Sequence, residues 1–141
     1  MNMVNYFYHF EAAKKIEQLI QDEKPDLAHI HLMWGQITPS IFPVLKKYNI
    51  PILFTVHDYR IVCPAYTFRN GNGQICEECQ GRYFYKCFMR TCCKGSKLMS
   101  AVMAAEQYFR NAFFNPAKFI DGFIYVSHFA KEIQEKYMPA V

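Results

Sequence analysis

The chain has 141 residues, with 16 Lys and Arg against 12 Asp and Glu, giving a formal charge of +4. At 52% hydrophobic and 20% charged residues it is a core-forming sequence, which excludes a disordered tail or linker. No apolar run approaches the ~18 residues of a membrane-spanning helix, no basic-then-apolar leader opens the sequence, and no fixed-period repeat is present.

Residues 9–23 place Phe10, Ala13, Ile16, Leu19 and Ile20 three and four apart with charges between them. That spacing predicts an amphipathic helix, which Lys24-Pro25 ends because proline disfavours helical geometry at the residue before it. Residues 27–34, 51–57 and 119–126 are short, nearly continuous apolar runs that predict buried strands. Between the first two strands a helix is expected, with Thr38 as its N-cap and Pro39 in the first turn. Residues 97–114 predict a helix carrying Leu98, Val102, Ala105, Phe109 and Phe113 along one face. Ser127 is expected to cap a last helix over 128–137, with Phe129, Ile133 and Tyr137 turned inward.

Strands alternating with helices imply an α/β fold: a Rossmann-like parallel sheet covered by helices on both faces, with a long insertion at about 60–96. One domain over 1–141 is expected. A helix arriving ahead of the first strand suggests a fragment of a larger sheet. In such sheets ligands bind beyond the carboxyl ends of the strands. The residues there are Trp34-Gly35-Gln36, His57-Asp58-Tyr59 and Ser127-His128. His29 and His31 alternate with apolar neighbours and so share one face of the first strand, with His31 nearer its ligand-binding end. A satisfied histidine pair is the simpler reading than a metal site, since no third ligand accompanies them in that segment.

The insertion holds all six cysteines, at 63, 76, 79, 87, 92 and 93. With no secretory leader the compartment reads as reducing and cytoplasmic, which disfavours disulfides. Cys76, Cys79, Cys87 and Cys92 are spaced to close a tetrahedral structural zinc site, with Cys63 and Cys93 as substitutes. The alternative is free thiols packed as small hydrophobes. Asn70-Gly71 and Asn72-Gly73 predict a hairpin turn. Arg82, Lys86, Arg90, Lys94 and Lys97 recur among Tyr83, Phe84, Tyr85, Phe88 and Met89. That pattern fits first a solvated face, then a peripheral contact with the inner membrane face, and last nucleic acid, which Glu77-Glu78 disfavours.

Taken in order, these residues resemble the acceptor-side domain of glycosyltransferase family 4, two-domain enzymes of GT-B architecture. The resemblance runs over about residues 10–140 and is carried by Pro25-Asp26, His29 and His31, Thr55, His57-Asp58-Tyr59, Cys63-Pro64, the cysteines at 76, 79, 87 and 92, and Ser127. The family's amino-terminal strand with its Gly-rich loop, and its whole second domain, have no counterpart in this sequence. What the resemblance implies is part of an enzyme that moves a sugar from a nucleotide-sugar donor, bound mainly by the other domain, to a glycan or lipid-linked acceptor. It implies retention of anomeric configuration without a catalytic metal. His57 would be the principal catalytic residue with Asp58 in support, and Trp34, His31, Tyr59 and Ser127 would meet substrate. A chain of this extent is expected to be inactive alone. The competing reading is a free-standing α/β binding module whose zinc-stapled loop contacts protein, membrane or nucleic acid.

Overall fold

A computed structural model describes residues 3–138. The elements in chain order are α1 (Met3–Phe7), α2 (Phe10–Glu23), β1 (Ala28–Ile30), α3 (Ile41–Lys47), β2 (Ile52–Val56), a 3₁₀ turn at Gln80–Arg82, α4 (Tyr85–Met89), α5 (Lys97–Phe113), α6 (Pro116–Phe119), β3 (Gly122–Tyr125) and α7 (His128–Tyr137). The chain divides into two compact units: residues 1–57 with 113–126, and residues 58–112 with 127–141.

The first unit is mixed α/β. Its three strands form one parallel sheet in the order β1-β2-β3, with Ile30 beside Phe54 and Thr55 beside Ile124. Each strand is shorter than the apolar run that announced it. Side-chain alternation decides what the sheet buries. Ile52, Phe54 and Val56 of β2 are fully enclosed, together with Ile20 of α2 and Ile41, Phe42 and Leu45 of α3. Phe42 stacks on Phe119 at 5.6 Å between ring centres, which draws α6 into the same core. The opposite set of residues is different: His29, His31, His57, Ile124 and Val126 are exposed. Thr55 of β2, on that same side, is buried, so the sheet is a small three-stranded parallel one flanked by helices with part of one face open.

Two details of helix placement depart from the sequence reading. Thr38 does not cap α3. It lies in the left-handed region at φ 60°, buried, where its Oγ1 accepts from the His9 backbone at 3.2 Å and donates to Ser40 Oγ at 3.1 Å. It joins the start of α2 to the start of α3. On α2 itself, Ala13 and Ile20 are buried while Phe10 and Leu19 are exposed, and His9 is the N-cap through its ring nitrogen. At the amino end of β2, Asp121 accepts from the Ile52 amide at 2.8 Å and from Lys46 of α3 at 2.7 Å. Those bonds hold its carboxyl below the usual aspartate range.

The second unit has little regular structure outside α5 and α7. Ser127 caps α7 as its position announced, accepting from the Ala130 amide at 3.1 Å. The inward residues of α7 are Ala130 and Gln134, whereas Phe129 is exposed. The Asn-Gly turn also forms. Asn70 Oδ1 accepts from the amides of Asn72 and Gln74, and Arg69 bridges Ile75 in antiparallel fashion. Gly71 sits so close to the chain at 90–91 that a Cβ would lie 2.6 Å from the Thr91 carbonyl oxygen.

The face that α5 buries is polar. Glu106, Gln107 and Arg110 are enclosed, Arg110 completely. Gln107 donates to the Ile61 carbonyl at 2.6 Å, and Arg110 donates to the Arg60 carbonyl at 2.9 Å, to Glu106 at 3.0 Å and to the Gln107 side chain. The turn that follows β2 has buried carbonyls with no strand partner. A side chain with five N–H donors supplies what a methylene cannot. The stripe Leu98–Val102–Ala105 lies on the other side of the helix, with Leu98 77% exposed. Replacing Arg110 by Met leaves the Glu106 carboxylate and two carbonyls without that donor. The expected cost is roughly 3–5 kcal/mol of stability, read from the midpoint of urea denaturation.

Candidate functional site

The exposed face of the sheet carries the one place where separate sequence signals meet. β1 and β2 run parallel side by side, and each bears a histidine just past its carboxyl end: His31 after Ile30, His57 after Val56. Nδ1 of His31 lies 2.9 Å from Nε2 of His57, with the rings stacked at 5.2 Å between centres. One residue pair earlier, His29 Nε2 lies 2.8 Å from Thr55 Oγ1, and the His29 ring stands 4.3 Å from that of His31. Three imidazoles thus form a row along one sheet face, all exposed to solvent.

The row follows from period-two alternation on two neighbouring strands. Positions 29 and 31 share a face of β1, positions 55 and 57 share a face of β2, and the parallel register brings those faces together. The third imidazole was not visible in the β1 segment, since it comes from the next strand. A nitrogen-to-nitrogen bond between two imidazoles needs one ring as donor and one as acceptor, so the pair holds a proton on the line between the rings. The remaining ring nitrogens of such a row can donate to or accept from hydroxyls and phosphate oxygens.

The other expected site residues are placed differently. Trp34 packs its ring 6.2 Å from that of Phe54, which points to the buried face, so it stands at the rim of the core and outside the histidine row. Asp58, Tyr59 and Ser127 belong to the second unit. Asp58 Oδ1 accepts from the Arg60 amide at 2.9 Å, closing a local turn. Tyr59 packs against Phe68 at 5.0 Å and Phe129 at 6.5 Å, and Phe68 in turn meets Tyr137 at 5.1 Å. These rings join the insertion to α7 within the second unit. Ser127 Oγ is engaged at the helix cap.

The six cysteines are free thiols. Cys87 Sγ lies 3.8 Å from Cys93 Sγ, with both buried. That contact pulls the Cys93 thiol down and pushes Cys87 up. Burial pushes the Cys79 thiol up to about 12, and the charges of Cys63, Cys92 and Cys76 add to it. Burial likewise brings Cys92 to about 11, with Cys76 and Cys63 acting in the same direction. Among the described residues, no group of three or more His, Cys, Asp or Glu side chains is arranged to hold a metal ion.

No known protein family's profile matches the chain, and no solved structure matches it. A stretch of 66 residues is 33% identical to a protein of Klebsiella pneumoniae described as an uncharacterized 42.6 kDa protein in a cps region. The stretch is 46% of this chain and 17% of that protein, so the likeness spans about a sixth of the relative's length. No helix among the described residues is long and apolar enough to cross a membrane.

The histidine pair makes its own prediction. In His31→Phe the ring packing at position 31 is kept and the nitrogen partner is lost. The ring nitrogens of His57, observed by ¹⁵N NMR, are expected to change tautomer balance, while the backbone spectrum of β2 stays in place.

Proposed function

We propose that this chain is the acceptor-side part of a sugar-transferring enzyme of the glycosyltransferase family 4 type, built on a Rossmann-like sheet, with His57 at the point of transfer and His31 beside it. The observation that carries the reading is the exposed imidazole pair at the carboxyl ends of two adjacent parallel strands, the position where α/β sheets bind ligands. An imidazole there is suited to sugar hydroxyls and to the phosphate oxygens of a departing nucleotide, whose developing charge it stabilises. The nucleotide-sugar donor would be held mainly by a second domain, and a glycan or lipid-linked acceptor would meet the face described here. The relative from a cps region agrees with this reading without naming a reaction.

The test uses the chain with ¹⁵N-labelled histidine, titrated with oligosaccharides, short-chain polyprenyl-phosphate sugars and nucleotide sugars. The His57 and His31 ring signals are expected to move on addition of at least one of these, and the response to vanish in His57→Ala. If none perturbs either ring, the reading fails. In a two-domain protein carrying this sequence, His57→Ala is expected to lower kcat by about a hundredfold.

The cysteine segment enters the same proposal as a structural clasp. Zinc would be held by Cys76, Cys79, Cys87 and Cys92, with Cys63 and Cys93 as substitute ligands, a donor set chosen from the spacing of the thiols. About one zinc per chain, lost on replacing Cys76 and Cys79 together by Ser, is the expected result of metal analysis. Metal-free protein with six reactive thiols after purification in zinc-containing buffer would overturn the clasp.

A further inference from the structure

The insertion, within the second unit, carries a recess of about 410 Å³ that shares no residue with the histidine row. One wall is the Asn-Gly turn with Asn72 and Gln74, and the other is Met89, Arg90, Thr91 and Gly95. Backbone bonds fix both walls. Asn70 Oδ1 accepts from the Asn72 and Gln74 amides at 3.0 Å each, and the Arg69 guanidinium donates to the Gly73 carbonyl at 2.7 Å. The Gly71 amide donates to the Arg90 carbonyl at 3.0 Å, which ties one wall to the other. Thr91 lies in the left-handed region at φ 50°, an uncommon geometry for a β-branched residue. A recess built on such bonds and on a strained residue is shaped before any ligand arrives.

The lining has its charge balanced and its hydrogen-bonding groups partly unused. Arg90 gives Nε and Nη2 to the Glu78 carboxylate, at 3.2 and 2.8 Å, so its charge is met while Nη1 remains. Gln74 accepts from Asn70 through Oε1 at 3.2 Å, which leaves its Nε2 donor. Among the described residues, the Asn72 carboxamide and the Thr91 hydroxyl have no hydrogen-bond partner. The leftover set mixes donors with acceptors, as a row of hydroxyls requires. We propose that this recess holds one uncharged pyranose unit of a glycan, its hydroxyls on Asn72, Gln74, Thr91 and Arg90 and a C–H face on Met89. Met89 is 67% exposed and supplies the apolar patch. An anion would meet a guanidinium already neutralised. A metal ion would find no carboxylate, thiol or imidazole in the lining, and a nucleobase no ring to stack on. The volume falls at the lower end of the ~300–1,000 Å³ of small-molecule sites, which suits a ligand of sugar size. The inference is independent of the sugar-transfer proposal.

The experiment follows the backbone amide signals of the full ¹⁵N-labelled chain during titration with the methyl pyranosides of glucose, galactose and mannose. At least one is expected to shift the Asn72, Gln74 and Thr91 amides saturably. The expected Kd is on the order of 1 mM, the scale for a ligand of about a dozen non-hydrogen atoms. Asn72→Ala, at an exposed position whose carboxamide holds no other bond, is expected to weaken binding about tenfold with an unchanged circular dichroism spectrum. Gly95→Asn introduces a residue that tolerates the left-handed region and sets a side chain in the open space beside Gly95. It is expected to weaken binding by a similar factor while removing no hydrogen bond. Undiminished binding by both variants, no saturable shift with any of the three glycosides, the same shifts with glycerol, or displacement by inorganic phosphate would each overturn the proposal. The ring signals of His31 and His57 report the sugar-transfer reading separately, so either proposal can fail alone.

Discussion

Alternation along β2 is the constraint from which the functional face follows. Five residues hydrogen-bonded between two parallel neighbours must send every second side chain the same way. Ile52, Phe54 and Val56 take the core side, so Leu53, Thr55 and the following His57 take the other. Because β1 obeys the same period in a parallel register, His29 and His31 arrive on that second face as well. A slip of one residue in β2 would turn His57 toward the core side and expose Phe54, which the apolar core resists. The core and the histidine row are thus two outcomes of one geometric rule.

The second unit solves a different problem. The turn after β2 has left the ladder, yet its carbonyls at Arg60 and Ile61 are enclosed. Buried carbonyls need donors, and α5 provides them through Gln107 and Arg110, with Glu106 balancing the guanidinium charge. Placing these groups inward turns the apolar stripe of α5 outward. The orientation of the exposed surface with Leu98 and Tyr108 is therefore set by the buried polar cluster on the helix's other side. The insertion then closes on itself through local means, the Asx turn at Asn70, the backbone approach at Gly71 and the aromatic group of Tyr59, Phe68 and Tyr137.

Most of the elements were legible in the chain itself. Apolar runs announced three strands, three- and four-residue spacing announced α2 and α5, and Ser127 before a helical pattern announced its cap, because these are local consequences of backbone geometry. Orientation was less legible. The stripe on α5 had the right period, but its facing toward solvent was not in it, since periodicity locates a face but not what lies opposite it. Thr38 looked like a cap and became a buried tie between α2 and α3, because its partners, His9 and Ser40, are brought to it by packing. Trp34 and Tyr59 stand beside the strand ends in sequence, and packing adds their ring contacts with Phe54 and with Phe68 and Phe129.

By itself the sequence determined a mixed α/β chain, a cysteine-bearing insertion, and the histidines at 29, 31 and 57 with their parity on the strands. Tertiary structure alone decided that His31 and His57 bond to each other, that Cys87 faces Cys93, and which side of α5 meets solvent. The reason is physical: alternation and helical period act between residues a few positions apart. The partners of an imidazole, a thiol or a guanidinium sit tens of positions away or on the far side of a turn, where only packing and the need to satisfy buried polar groups select them.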